Sequence, residues 1–367
     1  MKRIAVAGIG AIGSIVGGKL ALAGRDVTLI CTGWRENAEH MKAHGLTVTD
    51  GLVEETTAVN ALFIDELDQL AGPIDLLFIA TKSNDTKRCL RLLAPHLAPA
   101  AVVVSLQNGM NEDVIVPLAG RERVIACVSY TGGMLKRPGF VWTHGGRFVV
   151  GELDGGATPR VQAVAAILGL VAQTEISRDI MKQRWDKLAQ VTTTVPVGAV
   201  LGVGFPAVLS VVDAHPVLAR LMCETLQVAA AAGHPLDRVV GLSAADWRRL
   251  ADGAAPDLSD IVIGPFRPRP GVPAPDAGDA PLLKDLRLGL PLEIDYTNGC
   301  VVAKARELGV ATPAHNLVFG MLKSLERGEL EPGMQHLETL LRATAGSAAE
   351  GCVSIQRVPQ PTTPSPE

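Results

Sequence analysis

Short apolar runs alternate with helix-like stretches over the first half of this chain. The runs occupy residues 4–7, 27–31, 76–80, 102–106, 124–128 and 147–150. Those at 76–80 and 102–106 are almost continuously apolar and bounded by turn residues, which is the pattern of strands buried on both faces of a parallel sheet. Helices are predicted at 14–23 and 84–97. The alternation of strand and helix predicts an α/β fold with a doubly wound parallel sheet.

The pattern changes near Arg178, where long stretches rich in alanine and leucine begin. They run from Val208 to Ala232, from Ala244 to Ala254 and from Leu292 to Leu308. We therefore predict a first domain at 1–178 and a mostly helical second domain at 179–345. Segment 264–275 is too rich in proline for a regular helix and is predicted as a surface loop. Residues 346–367 are predicted as a disordered tail.

Composition narrows the classes of partner. The 367 residues exceed the usual size of one hydrophobic core, so two domains are expected. A net charge of -4 argues against a nucleic-acid partner, and no apolar stretch approaches the length of a membrane span. The six cysteines are scattered without metal-ligand spacing. We expect a cytoplasmic protein that acts on small molecules without a metal, and the short apolar run at 4–7 argues against a secretory signal.

A glycine-rich motif, Gly8-Ile9-Gly10-Ala11-Ile12-Gly13, directly follows the first apolar run. In βαβ units that bind dinucleotides, the first glycine allows a tight turn, the second allows close approach of the pyrophosphate, and the third lets helix and strand pack closely. The pyrophosphate then lies on the positive end of the following helix. The alternative is an ordinary structural turn. Because the motif lies between a predicted strand and a predicted helix, dinucleotide binding is favoured.

The choice between NADH and NADPH depends on residues that follow the second strand. An acidic residue there would bind the ribose hydroxyls of NAD, but the chain has Thr32, Trp34 and Arg35. A hydroxyl, an indole and a guanidinium suit the phosphate and adenine of NADPH. Alternatively, Arg35 is a solvated surface residue and Trp34 is a packing residue.

Polar residues follow two of the predicted central strands. Lys82 comes after the strand at 76–80, and Asn108 comes after the strand at 102–106. In an open α/β sheet, ligands bind outside the carboxyl ends of the strands, so both residues are candidates for binding cofactor or substrate. The alternative is a solvated lysine and an Asn-Gly turn.

The second half contributes two further candidates, Lys187 and Glu293. Reduction of a carbonyl requires a proton at its oxygen, and a lysine whose pKa is lowered by partial burial can supply it. The glutamate would orient that lysine or bind a substrate hydroxyl. Both charges are expected to come from separate helices and to converge on the cofactor. Sequence alone leaves open the alternative of ordinary charges on a helix surface.

Taken in order, five motifs resemble those of the ketopantoate reductase family, the NADPH-dependent 2-dehydropantoate 2-reductases. They are GIGAIG at 8–13, TK at 81–82, QNG at 107–109, WDKLA at 185–189 and LEIDYTNG at 292–299. The resemblance covers about residues 1–325. It implies an N-terminal Rossmann-type domain, an all-helical C-terminal domain, an active site in the cleft between them and a homodimer.

The resemblance also implies roles for individual residues. Lys187 is expected to donate a proton to the carbonyl oxygen, and Glu293 to lie beside cofactor and substrate. Asn108 is expected to touch both, Lys82 to lie near them, and Gly133 to contact the cofactor through its backbone.

Departures from the family pattern concern the substrate. Asparagines that bind ketopantoate in the family correspond here to Val191 and Val195, and two further polar positions align with Phe205 and Pro281. Loss of such groups weakens recognition strongly, unless hydroxyls at 192–194 replace them. We therefore expect NADPH-dependent reduction of a 2-oxo acid or related ketone that is less polar or larger than ketopantoate. The alternatives are an NADPH-binding sensor without turnover and a β-hydroxyacid or opine-type dehydrogenase.

Overall fold

The computed structural model describes residues 1–205, 207–253 and 281–345. The predicted proline-rich loop at 264–275 and the predicted tail at 346–367 lie outside the described residues. The strands are β1 (Ile4–Ala7), β2 (Val27–Cys31), β3 (Leu46–Thr49), β4 (Glu54–Thr57), β5 (Asn60–Phe63), β6 (Ile74–Ile79), β7 (Leu97–Ser105), β8 (Val124–Ser129), β9 (Gly132–Arg137), β10 (Phe140–Gly145), β11 (Arg147–Glu152), β12 (Gln173–Ile176), β13 (Arg238–Val239) and β14 (Leu242–Ser243).

The α-helices of the described ranges follow in chain order. They are α1 (Ala11–Leu22), α2 (Arg35–His44), α3 (Thr86–Leu93), α4 (Glu112–Ala119), α5 (Pro159–Leu168), α6 (Ile180–Val191), α7 (Thr194–Leu201), α8 (His215–Ala231), α9 (Ala244–Ala251), α10 (Pro281–Arg287), α11 (Asn298–Leu308), α12 (Pro313–Glu326) and α13 (Leu337–Ala345). None of these helices combines the length and the apolarity that crossing a bilayer requires.

An eight-stranded sheet with the order β12-β11-β8-β7-β6-β1-β2-β5 forms the first domain. The six strands from β8 to β5 run parallel, which confirms the predicted α/β fold with a Rossmann-type sheet. Strand β11 is antiparallel to β8. Strand β1 has β2 on one side and β6 on the other, so the chain changes direction across the sheet at β1. Ligands bind at such switch points, outside the carboxyl ends of the strands.

A second, four-stranded sheet with the order β4-β3-β10-β9 was not predicted. Its side chains Val48 and Val141 share one buried core with Ile15 and Val16 of α1. The helix that follows the glycine motif is therefore covered on its outer side. Strand β4 is mostly exposed and polar, so it carries no apolar alternation from which a strand could be inferred.

The second domain is helical from Ile180 onwards, with three departures from the prediction. Strands β13 and β14 form a short antiparallel hairpin. Helix α8 begins only at His215, because Pro216 favours the first turn of a helix over its interior. The segment 292–297 is not helical, since it forms a 3-10 turn at Ile294–Tyr296 before α11 begins. Glu293 therefore lies on a loop rather than on a helix, contrary to expectation.

Candidate active site

The glycine motif forms the turn between β1 and α1. Gly8 has φ +91, and a Cβ there would overlap the backbone of Thr81, the second residue after β6. A Cβ at Gly13 would overlap the carbonyl of Gly8. At Gly10, in contrast, an added Cβ meets no described atom within 4 Å. The first and third glycines are thus required by packing, whereas the second faces open space.

The open space at Gly10 lies at the N-terminus of α1, which Ala11 and Ile12 begin. Within the described residues, this terminus has no side-chain cap and no acidic residue in its first turn. The first backbone N–H groups of a helix lack partners inside the helix, and the helix dipole favours an anion there. The residues present therefore fit the pyrophosphate of a dinucleotide.

A buried asparagine that the sequence did not indicate supports the glycine turn. Asn37 of α2 donates its Nδ2 to the carbonyl of Ile9 at 3.1 Å, and its Oδ1 accepts from the N–H of Gly139 at 2.8 Å. One side chain thereby joins the turn to the hairpin between β9 and β10. Gly133 lies in β9, where an added Cβ would overlap the Ile15 side chain of α1.

Thr32, Trp34 and Arg35 follow β2 at the same edge of the sheet as the glycine turn. Thr32 is half-buried, and Trp34 and Arg35 are exposed. Arg35 forms an ion pair with Asp65, and its guanidinium carbon lies 4.0 Å from the centre of the Phe63 ring. The cationic Arg35 and the aromatic Trp34 thus lie at the edge of the sheet that also carries the glycine turn.

Gln107 joins the loops that follow β6 and β7. Its buried amide donates to the carbonyl of Thr81 at 2.8 Å and to Oγ1 of Thr86 at 2.7 Å. The neighbouring Asn108 is exposed, and its carbonyl accepts from Nδ2 of Asn111 at 2.7 Å. These bonds hold the backbone at Asn108 at the carboxyl end of the sheet, in the region where the role of this residue was predicted.

Lys82 connects the two domains. Its Nζ lies 2.6 Å from Oδ2 of Asp285 and 3.2 Å from Oε2 of Glu293, and the N–H of Ser83 donates to Oε1 of Glu293 at 2.7 Å. Burial alone would lower the pKa of Lys82, but the two carboxylates outweigh it and raise the pKa above its usual value. Asp285 was not identified from the sequence, because nothing near it indicates a partner 203 residues away.

Lys187 lies on α6 beside an aromatic ring. Its Nζ is 5.0 Å from the centre of the Tyr130 ring, and the Tyr130 hydroxyl donates to Oδ2 of Asp186 at 3.2 Å. The amide of Gln190 donates to the same oxygen at 2.8 Å. Burial lowers the pKa of Lys187, although Asp186 acts in the opposite direction. Burial also raises the pKa of the Asp186 carboxyl.

A cavity of about 650 Å³ opens beside Lys187. Its polar lining side chains belong to Tyr130, His144, Arg147, Gln173, Asp186, Lys187 and Gln190, and Gly146 lies among them in the chain. Its other lining residues are Val191, Thr193, Thr194, Val195, Phe205, Leu209, Leu218, Met222, Val240 and Trp247. Apart from two threonines, this second group is apolar.

Several predicted site residues meet in this cavity, and others do not. Val191, Val195 and Phe205 line it together with Lys187. Pro281 begins α10, and Glu293 pairs with Lys82; neither is among the described lining residues. The structure thus contains two groups of candidate residues, one around the cavity and one around Lys82.

Arg184 places these groups relative to each other. Its guanidinium forms a buried ion pair with Glu112 and donates to the carbonyls of Gly109 at 2.6 Å and Cys127 at 2.9 Å. The N–H of Met110 in turn donates to the carbonyl of Tyr296 at 3.3 Å. The loop after β7 is therefore held between α6, which carries Lys187, and the segment that carries Glu293. Arg184 is only three residues before Lys187 in the chain, but no sequence motif indicates this role.

The family model "Ketopantoate reductase PanE/ApbA" matches residues 4–155, and "Ketopantoate reductase PanE/ApbA C terminal" matches residues 179–326. A 2-dehydropantoate 2-reductase from Archaeoglobus fulgidus is 28% identical over 331 residues, which cover 89% of this chain and 99% of that protein. One from Pyrococcus abyssi is 27% identical, with 88% of this chain and 98% of that protein covered.

Solved structures show the same architecture. A PanE/ApbA family ketopantoate reductase from Ralstonia eutropha has a TM-score of 0.68 at 27% identity, covering 89% of this chain and 99% of that chain. A D-mandelate dehydrogenase with NADH and anilino(oxo)acetate has a TM-score of 0.70 at 22% identity with the same coverage, and so shares the fold. The chain belongs to the ketopantoate reductase family of NADP-dependent oxidoreductases.

Proposed function

We propose that this chain reduces the carbonyl group of a 2-oxo acid or related ketone that is less polar than ketopantoate. NADPH is the hydride donor, and Lys187 is the proton donor. The observation that carries this proposal is the cavity: the half-buried Lys187 lines it together with a set of residues that is apolar apart from two threonines. We call this set, which runs from Val191 to Trp247 in the lining, the apolar wall.

The residues that would hold the cofactor lie along the carboxyl edge of the sheet. The backbone at Gly10 and the free N-terminus of α1 accept the pyrophosphate, and Arg35 and Thr32 bind the phosphate of the adenosine end. Lys82, Asn108 and the backbone of Gly133 face the rest of the cofactor, from the pyrophosphate towards the nicotinamide. When bound, the nicotinamide supplies the hydride.

Lys187 is suited to proton donation because burial lowers its pKa. An ammonium of lowered pKa gives up its proton more readily to an oxygen on which negative charge develops. Tyr130 packs beside the lysine, and its bond to Asp186 fixes the ring. Glu293 acts on the other side of the cleft, where it orients Lys82 and joins the domains.

The apolar wall indicates the kind of substrate. Val191, Val195 and Phe205 cannot hydrogen-bond the hydroxyl group of ketopantoate, so this wall lacks the polar partners with which a site selects a hydroxylated substrate over a less polar one. Two of the threonine hydroxyls that could replace the missing asparagines donate to the backbone of helix α6. The buried Thr192 donates to the carbonyl of Leu188 at 2.8 Å, and Thr193 donates to the carbonyl of Gln190 at 2.9 Å. An apolar substituent is the better match for this wall.

Steady-state oxidation of NADPH with a panel of carbonyl compounds tests the proposal. We expect the highest kcat/KM for 2-oxo acids or ketones with large apolar substituents. A wide preference for ketopantoate would contradict the proposed substrate. A protein that binds NADPH and oxidises it with none of the compounds would instead be a sensor.

A further inference from the structure

We propose that Arg147 is the receptor for a substrate carboxylate, so that the substrate is a 2-oxo acid rather than a neutral ketone. This inference rests on the proposed function and deepens it. The apolar wall is compatible with both 2-oxo acids and neutral ketones. Arg147, which belongs to none of the sequence motifs, would favour the 2-oxo acids.

The position of Arg147 is set by the sheet. It begins β11, and its carbonyl accepts from the N–H of Tyr130 at 2.9 Å. Its guanidinium carbon lies 4.3 Å from the centre of the Tyr130 ring, and Nζ of Lys187 lies 5.0 Å from the same centre. Two cationic groups therefore border one aromatic ring, and both line the cavity.

The charges around the cavity leave Arg147 available to an anion. Asp186, the carboxylate among the described lining residues, is engaged by the Tyr130 hydroxyl and by the Gln190 amide. Arg147 pairs with Glu175, outside the cavity, at 3.4 Å, and the two side chains are 40% and 50% exposed. Exposed ion pairs contribute little stability, so exchange of Glu175 for a substrate carboxylate costs little. A guanidinium can bind a carboxylate through two parallel hydrogen bonds.

The chemistry of a 2-oxo acid matches this arrangement. Its carboxylate and its carbonyl are on adjacent carbons, so one group can face Arg147 while the other faces Lys187. The third substituent then points towards the apolar wall, which includes Leu218, Met222 and Trp247. These residues are buried and suit a branched alkyl or aryl group.

The test measures KM for a 2-oxo acid, phenylpyruvate, and for its methyl ester in two variants of the protein. Arg147→Met keeps most of the apolar stem and removes the charge, and Glu175→Gln removes the partner without altering the cavity lining. With phenylpyruvate, Arg147→Met should raise KM by about 10- to 100-fold, whereas KM for methyl phenylpyruvate should change less than about twofold. Glu175→Gln should leave KM for the acid unchanged or lower it.

Equal losses for acid and ester would overturn the proposal, because they would indicate a structural role for Arg147. An unchanged KM for both would overturn it as well. Arg147→Lys retains a charge without the planar fork and should restore part of the acid's affinity. Calorimetric titration of the protein–NADP⁺ complex with phenylpyruvate separates this inference from the reductase proposal. Binding that Arg147→Met abolishes supports the receptor even if no carbonyl is reduced.

Discussion

Arg184 of α6 forms an ion pair with Glu112 at the start of α4, and the two side chains are only 3% and 7% exposed. Burial raises the pKa of Glu112, against the opposing effect of Arg184. Because Lys187 is three residues further along α6, this pair helps to fix the position of the proposed proton donor relative to the sheet.

Replacement of Arg184 by leucine should destabilise the protein, because Glu112 would remain buried without its partner. We expect the free energy of unfolding to fall by about 3 to 5 kcal/mol, measured by chemical denaturation. Arg121→Ala removes one side of an exposed pair with Asp154 and should cost less than about 1 kcal/mol. The double variant Arg184→Leu/Glu112→Leu should recover much of the loss. Equal losses of unfolding free energy in Arg184→Leu and Arg121→Ala would show that Arg184 is not the partner of a buried charge.

Lys187→Ala should lower kcat by about two to four orders of magnitude, because the carbonyl oxygen would lose its proton donor. The Kd for NADPH should stay nearly unchanged, since no proposed cofactor contact involves this side chain. Lys182 lies on the same helix but pairs with Asp237 outside the cavity, at 2.9 Å, so Lys182→Ala is the matched control. A small loss of kcat in Lys187→Ala would remove this lysine from the role of acid.

Two glycine-to-alanine variants should separate packing from cofactor binding. Gly8→Ala should destabilise the fold, because the new Cβ would overlap the backbone of Thr81 and Gly8 has a positive φ. Gly10→Ala should leave the thermal unfolding temperature unchanged, since the space there is open, but should raise the Kd for NADPH. Thermal unfolding and fluorescence titration measure the two effects. If Gly10→Ala binds NADPH normally, the pyrophosphate does not lie at this turn.

Polar residues introduced into the apolar wall should change substrate preference. Val191→Asn combined with Val195→Asn restores the polar pattern of the family, and kcat/KM for ketopantoate should rise by about tenfold or more. The value for phenylpyruvate should fall. Val212→Asn is the control, because this valine is 62% exposed and is not among the described lining residues. A ketopantoate rate that does not respond would show that Val191 and Val195 do not contact the substrate.

Acidification should destabilise the protein through His315. Burial lowers the pKa of this imidazole to about 4. Its Nδ1 lies 3.2 Å from the Asn298 amide, which donates to the carbonyl of Thr192 at 2.9 Å, so Nδ1 is an acceptor. The unfolded chain binds a proton below its ordinary pKa near 6.5, whereas the folded protein does not until about pH 4. Stability from His315 is therefore complete above pH 6.5 and is lost as the pH falls towards 4.

A comparison with His315→Gln isolates this effect from Glu224, whose pKa burial raises to about 7 and which titrates with the opposite sign. Between pH 6.5 and pH 4, the wild-type protein should lose about 3 kcal/mol more unfolding free energy than the variant. Denaturation curves across this range measure the difference. Parallel pH profiles of the two proteins would contradict the buried neutral imidazole.

The central strands were predictable because they are buried on both faces and therefore read as continuous apolar runs. Strand β4 was not predictable, since the polar and mostly exposed side chains from Glu54 to Thr57 show no alternation of apolar and polar positions. Among the candidate residues, the glycines were identifiable because their spacing has a physical cause. Asn37, Asp285 and the role of Arg184 were not, because their importance arises from contacts between distant segments.

The sequence by itself determined the alternation of central strands and helices, the glycine turn and the family, because each depends on residues that are close together in the chain. Only the tertiary structure decided which side chains share a space. It paired Glu293 with Lys82 rather than placing it on the cavity of Lys187, and it brought Arg147 to that cavity. Such juxtapositions follow from the packing of two domains, and no local spacing encodes the geometry of groups that are tens to hundreds of residues apart.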